Sequence, residues 1–456
     1  MHFERQLNIF YPKISRAFFF VLICFIGTIY NDLNTNIIIA SFGASLVLTE
    51  MIISINHHRR FYDQLPEIII WISLFFWFWI EAVTLSFSDE RFTISSFLSP
   101  FRGSTIPNNV ISTAFLQISL FQIATILSLF FFKHVSLPSV SVSFISLPNK
   151  ILGHLLIILA LLGWVTLIIN AETLFQSIIL FRQSEIEIAE GFSSYFPIVS
   201  IAVSGWAFAL ILCTKYRKSI LVWGAFLLGA SLAFFSGTRF KILYIFMPAL
   251  ICFYYINRRV AVNYKIIILF IFLGIFLFSI ASFQVVYRYN INADFEIFGA
   301  FQGSGHFTAL ANAIGLADTF DEPLKQSMLP LFITDFIPRF IWPGKPDHEY
   351  WVIYNDNLSP NFGNVTPSII GQYYMNWWGL GGLFCGLIIG FVSSFASRRI
   401  EIFNKTGNFY NLIIAGFILS FVFLSFRVFS PNYVTYLIII IILTPISMRY
   451  LKIAAN

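Results

Sequence analysis

Between residues 334 and 351 the chain reads TDFIPRFIWPGKPDHEYW, which sets Arg339, Lys345, His348, Asp335, Asp347 and Glu349 among prolines 338, 343 and 346. Proline fixes φ near about −65°, so these charges are carried on stiffened backbone. A guanidinium fork meets phosphate oxygens bidentately, and an ammonium adds a point charge beside it. Carboxylate and imidazole can take the proton of an attacking hydroxyl, an imidazole's ordinary pKa of about 6.5 suiting that task. The residue types therefore suit a reaction in which an anionic group leaves and a hydroxyl attacks. Arg339 is the first candidate for charge stabilisation, with Lys345 beside it. Asp335, Asp347, His348 and Glu349 are candidate bases that spacing alone does not rank, and His348 reads equally well as a solvated loop histidine.

Further cations stand at the ends of apolar runs. They are Arg239 in FFSGTRFK, Arg288 in VVYRYN and Arg427 in SFRVFSPN. Singly, each reads as a snorkelling anchor at the bilayer edge. As a set with Arg339 they would form a ring of forks suited to pyrophosphate. Gln372 and Asn376, four apart in SIIGQYYMNWW, lie on one face of a helix start. With Tyr373 between them they suit sugar hydroxyls, or they pack helices. Tyr374, Trp377 and Trp378 suit ring stacking or an interfacial aromatic belt. His306 reads as an interfacial residue. Glu50 and Glu81 fall inside apolar runs and are read as near-interface or paired residues. No acidic pair has the spacing of a metal-dependent transferase, so neither a metal nor a cofactor is expected.

These groups need a membrane scaffold. Of 456 residues 58% are hydrophobic and 11% charged, with mean hydropathy +0.79, far too little surface charge for a water-soluble domain of this length. The formal charge of +6 is spread between apolar runs and forms no basic domain, which excludes nucleic acid as a partner. Cys24, Cys213, Cys252 and Cys385 each stand alone in an apolar run and read as packing residues. Twelve runs have about the length of a membrane helix: 17–31, 36–55, 67–88, 110–132, 151–170, 195–214, 219–236, 240–256, 265–284, 367–396, 409–427 and 432–448. The fold class is all-α and polytopic. The first run follows basic residues as a signal peptide would, but no small-residue cleavage site follows it, and it reads as a retained span.

Of the 28 Lys and Arg residues, 18 fall on the amino-terminal side of these spans. The positive-inside rule makes that side cytoplasmic, with both termini inside. The chain then divides into spans one to nine (1–284), one large outer loop (285–366) and spans ten to twelve (367–456). In the loop, GSGHFTALANAIGLADTF predicts an amphipathic helix starting at Ser304 and lying on or dipping into the outer leaflet. From Pro323 onward recurring prolines predict a stiff segment without long helices.

DFIPRFIWPGKPD resembles the Pro-Arg-x-x-Trp-Pro-x-Lys-Pro signature of the Wzy family, the bacterial polymerases of oligosaccharide repeat units that build O-antigen and related glycans. SGTRFKIL resembles that family's Ser-Gly-x-Arg turn, and TPSIIGQYYMNWWGLGGLFCGLIIG its Gly-rich helix after the large loop. The resemblance covers 230–395 by motif and the rest by layout. It implies a GT-C-like glycosyltransferase of the bacterial inner membrane with its site facing the periplasm. Such an enzyme transfers a growing glycan from polyprenyl pyrophosphate to the terminal sugar of a lipid-linked repeat unit and releases polyprenyl pyrophosphate. Its expected partners are these lipid-linked substrates, membrane lipid and a chain-length regulator. Arg339, Asp335 and His348 would be catalytic, Arg239, Arg288, Lys345 and Arg427 would hold pyrophosphate, and Gln372, Tyr373 and Asn376 would hold sugar. An O-antigen ligase, acting on lipid A core, shares the reaction and the layout. A lipid-linked-oligosaccharide transporter shares the spans, but would show internal repeats and mid-membrane charge.

Overall fold

The computed structural model of the protein describes residues 2–61, 64–88, 91–93, 104–133, 149–169, 195–213, 218–235, 239–256, 306–319, 323–324, 367–407 and 409–426. These residues are almost entirely helical, since a chain in lipid must satisfy its backbone groups within each segment; their one extended pairing is an isolated bridge between Thr93 and Thr105. In order come α1 (His2–Tyr30), α2 (Leu33–Phe61) and α3 (Leu65–Leu74), which continues through a π-helical turn (Phe75–Trp79) into α4 (Ile80–Ser86). Then follow α5 (Asn108–Lys133), α6 (Asn149–Ile169), α7 (Tyr195–Cys213), α8 (Ile220–Phe235) and α9 (Arg239–Ile256). After them come α10 (His306–Ala317), α11 (Ile369–Trp377), α12 (Gly381–Thr406) and α13 (Phe409–Ser425). Six of the described stretches are long and apolar enough to cross a membrane, and four shorter apolar helices accompany them. Ten of the expected spans fall on these helices; 265–284 and 432–448 lie outside the described residues.

Small residues bring the helices together, as lipid offers no hydrophobic drive to do so. On α12, Gly382, Gly386 and Gly390 sit so close to α5 that a Cβ would overlap the carbonyl oxygens of Gln117, Phe121 and Thr125 respectively. Hydroxyls reinforce the seam: Thr125 Oγ1 donates to Gly386 O at 3.2 Å and Ser128 Oγ to Leu387 O at 2.7 Å. The matching numbers rise together, so α5 and α12 run parallel. In α6–α8, Gly153 meets Leu221 and Gly163 meets Leu232, another parallel pair. α7 runs against both, with Ser200 Oγ donating to Ala160 O and Ser204 Oγ to Phe226 O, each at 2.7 Å. Direction therefore alternates as a meandering bundle requires.

Local chemistry fixes the helix ends. Asp32 caps α2, accepting from Thr35 N at 2.8 Å and Thr35 Oγ1 at 2.6 Å, and these donors hold its carboxyl below the usual range. Gly407 ends α12 at φ 66°, a left-handed cap that glycine adopts without strain. The long tenth run is broken between α11 and α12, where Trp378 takes φ 43°. The Gln117 amide fills the break, donating to Gly379 O at 3.2 Å and accepting from Gly382 N at 2.8 Å. Two ion pairs tie the first three spans, Lys13 with Glu67 and Arg16 with Glu50, the latter at 2.5 Å. Glu50 is thus paired, as a buried charge in a span must be.

Candidate functional site

The π-helical turn sends three aromatics in different directions. Trp77 Nε1 donates to Phe423 O at 3.0 Å, Trp79 stacks on Phe115 at 5.7 Å, and Phe78 lies 6.4 Å from Phe426. One turn later the buried Glu81 carboxylate faces the start of α10. Oε2 accepts from Phe307 N at 2.9 Å and Thr308 N at 3.2 Å, and Oε1 accepts from Thr308 Oγ1 at 2.5 Å. A carboxylate at a helix N-terminus satisfies the first free N–H groups and meets the positive end of the dipole. In an apolar interior such charge-assisted bonds contribute about 1.5–3 kcal/mol each, against a desolvation cost of several kcal/mol per ion.

α10 corrects the expectation of an amphipathic helix on the outer leaflet. Every residue from His306 to Ile314 is buried, as is Ala317. Its helical periodicity reflects packing on α5, the π turn, α4 and α11, not a lipid face and a water face. His306, expected at the interface, is buried with its ring 4.7 Å from Trp77 and 6.4 Å from Phe78. Ser304, the expected start, lies outside the described residues.

α11 anchors both ends of the Pro-rich stretch. Before it, Leu324 N donates to Met375 O at 3.1 Å. After it, Ser368 at φ 58° caps α11 through its hydroxyl, which accepts from Gly371 N at 3.1 Å. α10 packs along α11 where Gly371 faces Ala313 and Leu310. Just past the C-terminal end of α10, partial desolvation raises the Asp318 carboxyl above the usual range, although the residue is exposed at the surface.

The same region receives the ends of two more spans. Ile369 N points to Phe426 O at 3.5 Å, and Arg427 is the next residue in the chain. Pro248 of α9 lies against Gly416 of α13, while Cys252 Sγ reaches Leu412 O at 3.6 Å. These two contacts make α9 and α13 antiparallel. Phe78 touches both His306 and Phe426 and so links the start of α10 to the end of α13.

No protein-family model matches the chain, and no curated protein or solved structure matches it. The site stands on its own geometry.

Of the residues singled out from sequence, Gln372, Tyr373 and Asn376 come together on α11 and are buried at 0%, 3% and 0% exposure. Asn376 Nδ2 donates to Gln372 O at 2.8 Å, while its buried Oδ1 has no hydrogen-bond partner among the described residues. Arg239 is described as the first residue of α9. Arg288, Asp335, Arg339, Lys345, His348 and Arg427 lie outside the described residues. Glu81, read from sequence as a near-interface or paired residue, is paired with the start of α10, a partner that the sequence did not indicate. The nearest backbone donor, Phe307 N, lies 226 positions away in the chain, and no local pattern marks the pair.

Proposed function

We propose that the protein is a membrane glycosyltransferase that polymerises oligosaccharide repeat units of a bacterial surface polysaccharide. A hydroxyl of the acceptor's terminal sugar attacks the anomeric carbon of the growing glycan. The bond to the pyrophosphate oxygen breaks, the hydroxyl proton passes to a base, and polyprenyl pyrophosphate leaves. Asp335 and His348 are the candidate bases. Arg339, Arg239, Arg288, Lys345 and Arg427 meet the charge that grows on the leaving oxygens, where fixed cations act most strongly in the transition state. Gln372, Tyr373 and Asn376 hold sugar, and the unfilled Asn376 Oδ1 is an acceptor for a sugar hydroxyl.

This reading includes twelve spans in a GT-C-like arrangement, both termini in the cytoplasm, the site on the periplasmic face of the inner membrane, and a chain-length regulator as partner. The observation that carries it is a convergence. The two ends of the segment bearing Pro338, Arg339, Trp342 and Pro343 are tied to α11, next to the residue preceding Arg427. Deletion of the gene tests it: single repeat units should still reach their lipid acceptor while long chains disappear, because making, flipping and ligating a unit need no polymerisation. Loss of the one-unit product as well would instead indicate a ligase or a flippase.

A further inference from the structure

We infer that Glu81 is a positioning residue for the reaction, acting through α10 on the Pro-rich stretch; this rests on the polymerase reading. Glu81 is 5% exposed and sits within a membrane span, where a carboxylate without compensating donors would be too costly to keep. Among the described residues, three donors to it cluster in one place. Two backbone N–H groups and the Thr308 hydroxyl, all from the first turn of α10, converge on its two oxygens. The first turn of a helix sets the direction of the rest, so this contact fixes how α10 enters the bundle. α10 in turn is pressed against α11 at Ala313 and Gly371. Six residues after Asp318 the chain is tied to α11 again through Leu324, and the stretch that carries Arg339 begins directly beyond. Contacts between described residues thus lead from Glu81 through α10 and α11 to Leu324, the point from which that stretch departs.

The geometry separates this role from bulk packing. Phe307 joins an aromatic cluster, its ring 5.1 Å from Phe115 and 6.2 Å from Phe92, and α10 is buried from His306 to Ile314 and at Ala317. Those apolar contacts hold the helix in the bundle without Glu81. The carboxylate adds the aim of the helix end, since hydrogen bonds are directional and apolar burial is not.

Glu81→Gln retains the shape and removes the charge, Thr308→Val removes the hydroxyl donor, and Thr308→Ser retains it. Purified full-length protein in lipid nanodiscs is assayed for hydrogen exchange over 306–317 and for polymer formed per molecule with lipid-linked repeat units. Glu81→Gln and Thr308→Val should speed exchange at this segment about tenfold while leaving α5 and α12 protected, as a local opening would. Turnover should fall up to about 100-fold at unchanged half-saturation, the effect of a small misplacement of a transition-state group. Thr308→Ser should restore both. Faster exchange with normal turnover would overturn the positioning role and leave the polymerase standing. Unchanged exchange would overturn the role of Glu81 in fixing α10. Wild-type protein that forms no polymer in the same assay would overturn the polymerase reading, and the positioning role with it, whatever exchange shows.

Discussion

Arg339 is the side chain on which the proposed chemistry leans hardest. Pro338 restricts the backbone before it and Pro343 the backbone after, so in sequence the guanidinium is carried between two fixed points. Lysine at this position keeps the charge and replaces a planar fork with one ammonium. Arg339→Ala should reduce polymer formation by about 100- to 1,000-fold, the range for loss of a transition-state donor, and Arg339→Lys should recover part of it. Polymer measured against the amount of protein in the membrane separates this from a folding defect. A well-inserted Arg339→Ala protein making normal long chains would remove Arg339 from the site and leave the Pro-rich stretch as a strut.

At the scale of elements, the α5–α12 seam decides whether α11 and the Gln117 bridge have a base to stand on. Backbone meets backbone there, and backbone cannot rotate away as a side chain can. Gly386→Leu should therefore cost about 1–3 kcal/mol or more through overpacking, seen as a lower unfolding temperature in detergent and less protein in the membrane. Gly379→Ala is the contrasting case. Only two residues from the start of α12, Gly379 has nothing within 4 Å of where its Cβ would lie, and its substitution should leave the unfolding temperature unchanged. Equal losses at both positions would show that the close seam is not what makes Gly386 sensitive, because both substitutions raise helix propensity.

For the whole molecule the decisive quantity is orientation. Contacts fix which helix ends share a side: the start of α10, the start of α11 and the end of α13 lie together, as the Phe78 contacts and the Ile369–Phe426 bond require. Which side that is comes from the bias of Lys and Arg toward the opposite ends. A reporter fused after Asp356 should behave as extracytoplasmic and one after Arg399 as cytoplasmic. The same compartment for both would sink the site proposal, since lipid-linked units are joined at one face only.

Much of this protein could be read from the order of its residues. Runs of about 20 apolar residues can satisfy their backbone in lipid only as helices, so the ten spans that fall on described helices were legible without any contact between them. Arg339, Lys345 and His348 stand close in sequence among prolines, which is what suggests the proposed chemistry, and they lie outside the described residues. What periodicity could not separate was an interfacial helix from an internal one: apolar spacing over 306–317 fits both, and the choice depends on whether other helices cover the remaining face. Likewise Glu81 and Thr308 carry no local mark of each other across 227 positions. Their meeting follows from how α4, α5 and α11 enclose α10, and only the tertiary structure decides it, because a buried carboxylate must find its donors wherever the packing brings them.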